Sequence, residues 1–256
     1  MGRFLRNLRF AMVLGLGIWL VNLPALAQDA EREERFFTAN QAYKEGRFQQ
    51  AADAYDQLIE SGIVNGHVYY NLGNACFRMN ALGRAILNYE RARLFMPRDA
   101  DLNFNLRQVR TQLKDDIPEA RGFINQTFFW LEDVTLKELL AVFAALNLLF
   151  WGVLLVRVFR KPEWTFYAFI VLIIFWGIAG ISFGLKWVQL ETDDRALVLK
   201  KEISVMAGPD TRDTVLFKLH EGTMVAQERS EDGWALIRLP DKKRGWVIAD
   251  GVEKIM

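Results

Sequence analysis

Small, aromatic and aliphatic positions repeat with a period of 34 residues in the first part of the chain. Within each unit they recur at helical spacing, and Gly46 or Asn80 stands where a turn would join two short helices. The pattern therefore predicts two consecutive helix–turn–helix units. The small residues Ala51 and Ala85 are expected to be packing positions, where two helices touch. The matched pairs are Ala39/Gly73, Asn40/Asn74, Tyr43/Phe77, Phe48/Leu82, Ala51/Ala85, Tyr55/Tyr89 and Leu58/Ala92.

Two later segments are apolar over a length that suits a membrane. Residues 136–158 contain Asn147 as their one clearly polar interior residue, and residues 166–185 carry no charge. A helix of either length crosses a hydrocarbon core about 30 Å thick. A buried hairpin of a soluble protein is disfavoured, because nothing else in the chain is large enough to cover two such helices. The pattern predicts two transmembrane helices. Asn147 is either a helix–helix contact or a single tolerated polar residue.

The first residues follow the pattern of a secretory signal peptide. Basic residues precede an apolar run that ends at Leu23, and the small-residue sequence Ala25-Leu26-Ala27 follows. Residues 1–27 are therefore expected to be a signal peptide cleaved after Ala27. The alternative is an uncleaved N-terminal anchor.

Charge predicts the orientation of the two apolar segments. Their short connection carries Arg157, Arg160 and Lys161, which by the positive-inside rule places it in the cytoplasm. Both large flanking domains then lie on the opposite side of the membrane, in agreement with the signal peptide. Residues 115–135 are expected to be a linker or interfacial segment. The aromatic residues expected at the outer interface are Phe128, Phe129, Trp130 and Trp187.

The last part of the chain, residues 195–256, alternates apolar and polar residues in short runs. Several short strands at this spacing predict a small all-β barrel. Turn signals separate the runs at Gly208-Pro209, Glu221-Gly222, Asp232-Gly233 and Arg244-Gly245.

The composition offers little for catalysis or metal binding. A net charge of +1 provides no overall field for nucleic acid. Cys76 is the single cysteine, so an internal disulfide is excluded, and its position predicts a small buried residue. His67 and His220 lie far apart in the sequence. Because no nucleophile–base pair, phosphate loop or metal cluster stands out, we expect a protein that is not an enzyme and that needs no cofactor.

The period and residue placement of the first part resemble the tetratricopeptide repeat, with Pro97 closing the second unit. The resemblance implies a repeat array over residues 32–114. A third unit begins at Asp101 but departs from the pattern at Arg107, where a small residue is expected. Residues 100–114 are therefore predicted to form a capping helix with a more polar outer face.

In tetratricopeptide proteins the first helix of each unit lines a concave, peptide-binding groove. A carboxamide offers a donor and an acceptor to an extended backbone, and a cation can hold a carboxylate. The alternative is that the polar residues only solvate an exposed helix face. Asn74 and Arg78 are both expected to be exposed in the unliganded protein. The groove residues that the resemblance implies are Asn40, Lys44, Asn71, Asn74, Arg78 and Asn105.

The order of motifs in residues 195–256 resembles that of bacterial SH3 domains of exported proteins. Such domains act as binding or docking modules, some of them for cell-wall peptides. Trp234 and Trp246 are expected to pack in the core or at the barrel edge rather than to stack on a ligand. The motifs are Ser204-Val205-Met206 with Gly208-Pro209, then Leu219-His220-Glu221-Gly222-Thr223, Gly233-Trp234 and Gly245-Trp246-Val247.

The order of the parts resembles, along the full length, the BatE-like proteins of the bacterial aerotolerance (Bat) operons. The resemblance implies a multidomain membrane protein with an all-α tetratricopeptide repeat array, two transmembrane helices and a small all-β SH3-like barrel. It also implies partner proteins, namely Bat proteins with von Willebrand factor A domains and a MoxR-type ATPase system. The expected function is a non-enzymatic inner-membrane scaffold or adaptor. The alternative is an envelope-binding module that recognises peptidoglycan through the SH3-like domain.

Overall fold

A computed structural model describes residues 31–115, 117, 126–160 and 163–256 of the chain. These residues belong to two compact units, of which the first ends at Val64 and the second runs from Asn65 to Met256. The expected signal peptide, part of the expected linker and Lys161 lie outside the described residues.

The described part of the first unit is a helical hairpin. Helix α1 covers residues 31–44 and helix α2 is Phe48–Glu60. Gly46 adopts a φ of 78°, a backbone conformation that only glycine adopts without cost. The chain turns there, and the Arg47 N–H donates to the Ala42 carbonyl at 2.9 Å. Small residues and two larger ones form the buried side of the hairpin: Ala39, Ala42, Ala51, Ala52, Tyr55 and Leu58.

The second unit begins with the same arrangement in helices α3 (Gly66–Arg78) and α4 (Leu82–Phe95). Asn80 occupies the left-handed turn position with a φ of 59°. The Ala81 N–H donates to the Cys76 carbonyl at 3.0 Å, so both hairpins close their turns with the same hydrogen bond 34 residues apart. Helix α5 (Ala100–Arg110) follows, with Asp99 capping its N-terminus.

Close packing between α3 and α4 depends on small residues. A Cβ on Gly73 would lie 2.7 Å from the Tyr89 ring, closer than real carbon atoms approach. Ala51 and Ala85 are both 0% exposed, which confirms the prediction that they are packing positions. Cys76 is also fully buried, as the sequence predicted.

Two long apolar helices follow, α6 (Leu136–Arg160) and α7 (Trp164–Glu191). Each is long and apolar enough to cross a membrane, and only 6% and 11% of their most apolar windows are buried. A core helix of a soluble protein is mostly buried, whereas these helices expose apolar side chains. They pack against each other through aromatic rings. The ring centroids of Phe143 and Trp176 are 5.6 Å apart, and those of Phe150 and Phe169 are 5.3 Å apart. A 3₁₀ turn, Phe129–Glu132, precedes α6.

The chain ends in a seven-stranded antiparallel sheet with the order β3-β2-β6-β5-β4-β1-β7. Its inner face buries a cluster of aliphatic side chains that includes Val198, Val205, Ile237 and Val247. The strands are β1 (Arg195–Val198), β2 (Glu202–Met206), β3 (Val215–His220), β4 (Met224–Glu231), β5 (Trp234–Arg238), β6 (Arg244–Ile248) and β7 (Val252–Lys254).

Two of the predicted turns, Glu221-Gly222 and Asp232-Gly233, are placed correctly and another is wrong. Asp232 and Gly233 have φ angles of 46° and 81° and form the two-residue turn of the β4–β5 hairpin. Arg244-Gly245, by contrast, lies within β6. Glycine occurs there because a Cβ would overlap the Val205 side chain and lie 2.9 Å from the Met206 carbonyl. This glycine therefore permits close strand contact, and the chain turns earlier, at Lys242, which has a φ of 69°.

Candidate functional site

Two asparagines of the implied groove hold the tyrosines of the neighbouring helix. The Tyr55 hydroxyl donates to Asn40 Oδ1 at 2.7 Å, and the Tyr89 hydroxyl donates to Asn74 Oδ1 at the same distance. Both tyrosines are almost fully buried, and a buried hydroxyl without a partner would be costly. Each asparagine therefore stabilises its own hairpin.

A third asparagine of the set ties α5 to α3. Asn105 Nδ2 donates to Asn74 Oδ1 at 3.0 Å and to the Tyr70 hydroxyl at 3.1 Å. Asn74 thus accepts two hydrogen bonds and is only half-exposed, so the expectation that it is exposed is wrong. The physical reason is the close approach of α3 and α4 at Gly73, which brings the Tyr89 hydroxyl to Asn74.

The two cations of the implied set are placed differently from the asparagines. Lys44 is exposed at the end of α1, and Arg78 is exposed at the end of α3. Asn71 is half-buried on α3. Long cationic side chains at exposed helix ends can reach an acidic group on another molecule. Lys44 and Arg78 are thus the exposed members of the predicted site.

The side chains of the two tryptophans of the sheet, Trp234 and Trp246, differ in how deeply they are buried. Trp246 is 8% exposed, and the Arg229 guanidinium lies 5.1 Å above its ring. Trp234 is half-buried at the start of β5. The burial of Trp246 confirms the prediction that it packs rather than presents a ligand-stacking face.

Helix α4 contacts the sheet directly, backbone against backbone. A Cβ on Gly83 would lie 2.7 Å from the Val198 carbonyl and 3.3 Å from the Gly222 N–H nitrogen. A backbone carbonyl held in a sheet cannot move aside as a flexible side chain can. Gly83 therefore lets the first turn of α4 pack on the end of β1 and on the turn after β3.

Arg91, near the C-terminal end of α4, forms hydrogen bonds with the last strand and the residue that follows it. Its Nε donates to the Ile255 carbonyl at 3.0 Å, and its Nη2 donates to the Lys254 carbonyl and to Glu253 Oε1, both at 2.8 Å. Charged donors make stronger hydrogen bonds than neutral ones. Together with Gly83, Arg91 joins the second hairpin and the sheet into one structure.

Asp115 makes a third connection, between the segment after α5 and the turn that follows β3. Its Oδ2 accepts from the His220 N–H at 2.7 Å and from the Thr223 hydroxyl at 2.6 Å. Its Oδ1 lies 2.8 Å from His220 Nδ1. Burial raises the pKa of the Asp115 carboxyl, but the hydrogen bonds from Thr223 and His220 together outweigh burial and hold the pKa below its usual 3.8.

This lowered pKa predicts acid sensitivity. Asp115 contributes stability that is fully present above pH 3.8, the unfolded-state value, and that is lost as the pH falls through the lower folded-state pKa. We expect Asp115→Asn to lower the free energy of unfolding by about 1–3 kcal/mol at pH 7 and by progressively less in acid. Thermal unfolding of the detergent-solubilised protein at several pH values measures the difference. The exposed Asp101→Asn is the control, and a difference that does not change with pH would contradict the assignment.

A buried carboxylate on α4, that of Glu90, forms ion pairs with three arginines. Glu90 is 1% exposed, and its oxygens lie 2.7 Å from Arg110, 3.1 Å from Arg93 and 3.7 Å from Arg195. The three cations come from α4, α5 and the first residue of β1. Glu90 therefore links three segments of the second unit.

The 3₁₀ turn before α6 is bonded to the end of α7. The Trp130 indole N–H donates to the Ser182 hydroxyl at 3.2 Å, and the Lys186 ammonium donates to the Leu131 carbonyl at 2.6 Å. Phe129 and Trp187 are both largely exposed. These contacts place the aromatic residues of the segment beside one end of the α6–α7 hairpin.

Sequence reasoning missed the residues that join the helices to the sheet. Gly83, Glu90, Arg91 and Asp115 follow no motif, and their partners are far away along the chain. Within the part of the chain that the structure describes, no group of three or more His, Cys, Asp or Glu side chains could hold a metal ion. No protein-family model matches this chain, and a search of the curated proteins finds no match either.

Proposed function

We propose that this protein is a non-enzymatic membrane scaffold or adaptor, whose helical repeats and terminal sheet hold partner proteins beside a bacterial inner membrane. The observation that carries the proposal is the repeated hydrogen bonding of the hairpins. The Asn40–Tyr55 and Asn74–Tyr89 hydrogen bonds have the same length, and the residues of the second bond lie 34 positions after those of the first. Equivalent bonds at the repeat period support a tetratricopeptide array, in which short helix pairs stack to present a binding surface.

The terminal sheet is the second part of the proposed scaffold, and we take it to be an SH3-like module. Its seven short antiparallel strands and single aliphatic cluster support this assignment. Arg91 and Gly83 join it to α4, so that the second repeat and the sheet would offer partners one rigid platform. Partners of the kind that the Bat resemblance implies, von Willebrand factor A domain proteins and a MoxR-type ATPase system, remain part of the proposal.

The proposed orientation places both large domains on the periplasmic side and the turn after Arg160 in the cytoplasm. The long apolar exposed helices and the basic residues at the end of α6 support this arrangement. Alkaline phosphatase is active only outside the cytoplasm. We expect activity when it is fused after Met256 and none when it is fused after Arg160. The opposite pair of results would refute the orientation and the periplasmic scaffold together.

The exposed cations are the best test of partner binding through the repeats. Asn74→Ala would remove the acceptor of Tyr89 and Asn105, so its effect would mix stability with binding. Lys44→Gln combined with Arg78→Gln removes two exposed charges and leaves the hydrogen bonds of Asn74 to Tyr89 and Asn105 in place. If both cations hold acidic groups of a partner, the double variant should weaken binding about tenfold, the effect of losing a charged hydrogen bond.

The measurement is recovery of partners with the protein from solubilised native membranes. The matched control replaces two exposed lysines of the sheet segment, Lys201→Gln and Lys242→Gln. Removal of the whole sheet is a poor control, because it would expose the α4 surface that Arg91 and Gly83 occupy. If the Lys44/Arg78 double variant keeps every partner and the Lys201/Lys242 double variant loses them, the sheet and not the helical repeat is the recognition element. Retention of the unaltered protein on purified cell wall, lost in the Lys201/Lys242 double variant, would favour peptidoglycan binding through the sheet.

A further inference from the structure

A cavity of about 910 Å³ lies within the second unit, where α4, α5, the end of α7 and the sheet come together. Its volume is within the range of small-molecule binding sites. Lys186, Gln189 and Leu190 line it from the last turns of α7. If α7 crosses the membrane as proposed, this cavity stands at the level of the lipid headgroups on the outer side.

Cationic groups form one part of the cavity wall. Arg93 and Arg110 form ion pairs with Glu90, and the side chain of each is about one-third exposed. The buried carboxylate therefore holds both guanidiniums in place while part of each remains in contact with solvent. The Lys186 ammonium, which is bonded to the Leu131 carbonyl, is a third cation of the lining. Guanidinium and ammonium groups in a fixed arrangement are the usual partners of phosphate oxygens.

Carboxylates form another part of the same wall, and most of them already have cationic or hydrogen-bonding partners in the protein: Glu90 and Asp115 as described above, Asp193 with Arg195 at 2.7 Å and Asp194 with Arg238 at 3.4 Å. Glu132 and Asp133 are exposed residues of the segment that leads into α6, and both line the cavity. They lie within electrostatic range of Lys186, as do Arg93 and Arg195. The cavity therefore combines cations and anions over a short distance. This mixture does not suit a purely anionic ligand, because the carboxylates would repel it.

We propose that this cavity binds the headgroup of a zwitterionic phospholipid that carries a primary ammonium, as phosphatidylethanolamine does. Arg93, Arg110 and Lys186 would hold the phosphate. Glu132 and Asp133 would accept hydrogen bonds from the ammonium, which has three donors. The inference goes beyond the scaffold function and rests on the proposed membrane placement of α7. A bound lipid would connect the second hairpin, the sheet and the membrane hairpin at one point.

The first test compares soluble short-chain lipids that differ only in the headgroup. Ligands that bind the folded state raise the temperature of unfolding. We expect dihexanoyl phosphatidylethanolamine to bind the detergent-solubilised protein about tenfold more tightly than the phosphatidylcholine, whose methylated nitrogen cannot donate hydrogen bonds to the carboxylates. The phosphatidylglycerol, which lacks an ammonium, should also bind more weakly. Equal shifts for these three lipids, or an equal shift from inorganic phosphate alone, would overturn the proposal.

Two variants assign the two parts of the headgroup. Asp133→Asn should remove most of the preference for phosphatidylethanolamine over phosphatidylcholine, because it removes a charged acceptor of the ammonium. Arg93→Gln should weaken the binding of all three phospholipids, because it removes one of the cations that hold the phosphate. The fold should be retained, since Arg110 and Arg195 still neutralise Glu90. The control is Lys137→Gln, an exposed cation at the start of α6 that is outside the cavity lining. A loss of binding in the control as large as in Arg93→Gln would count against the site.

Membrane insertion and headgroup preference can be measured independently of each other. Resistance of the protein to alkaline carbonate extraction reports membrane insertion, whatever lipid it prefers. A protein that is inserted but makes no distinction between the headgroups would refute the lipid site alone. A protein that is released by carbonate would refute the membrane placement, and the lipid site with it.

Discussion

Replacing Glu90 by Ala is expected to lower the free energy of unfolding of the second unit by about 3 kcal/mol, the lower part of the range for breaking a buried ion pair. Glu90 is 1% exposed and neutralises arginines on α4, α5 and β1. Its removal leaves three cations close together around an empty space. The arginines are each about one-third exposed, and their hydration is the reason for expecting the lower part of the range.

Thermal unfolding of the detergent-solubilised protein measures this effect. Glu90→Gln retains the volume and one acceptor but loses the charge, so it should cost less than Glu90→Ala. Glu60→Ala, at the exposed end of α2, is the control and should change stability by no more than about 0.5 kcal/mol. If Glu90→Ala and Glu60→Ala behave alike, the Glu90 cluster does not connect the three segments.

Replacing Ala85 by Leu is expected to destabilise the second hairpin by about 1–3 kcal/mol or more through overpacking. Ala85 is 0% exposed, and its carbonyl would lie 3.3 Å from a Cβ on Gly73. The two helices are therefore in contact at this position, with no space for three more carbon atoms. Ala51→Leu in the first hairpin should have a similar effect, since Ala51 is also fully buried.

The control for these variants is Ala100→Leu, at the exposed first residue of α5. It adds the same carbon atoms without entering a packed interface. The temperature of unfolding should fall in the two buried variants and stay near the wild-type value in the control. Unchanged unfolding in both Ala51→Leu and Ala85→Leu would mean that the 34-residue alignment is wrong.

The sequence predicted local elements well where one physical pattern decided them. The 34-residue period identified the turn positions Gly46 and Asn80, both of which have positive φ, because a helical hairpin needs a left-handed residue at its turn. The apolar lengths located α6 and α7, although α7 continues to Glu191, beyond the predicted end at 185. Its last turns leave the uniformly apolar stretch, so hydrophobicity alone could not locate its end.

Prediction was less accurate where a residue serves a distant partner. Gly245 looked like a turn residue, since glycine favours turns, but it lies in β6. That position of the strand needs glycine because Val205 and Met206 approach too closely for a side chain. Asn74 looked like an exposed groove residue, since asparagine is usually polar surface, but Tyr89 and Asn105 bind it. In both cases the local preference of the residue was real, and the packing of another element determined its role.

By itself, the sequence determined the helical hairpins, the two long apolar helices and the β-rich end of the chain, because periodicity, apolar length and turn residues act over short stretches. Only the tertiary structure decided that α4 rests on β1 at Gly83, that Arg91 fastens the last strand and that Glu90 gathers three arginines. These contacts join residues separated by up to 164 positions. No local pattern records such pairings, since each depends on how completed elements pack together and on which polar groups that packing buries.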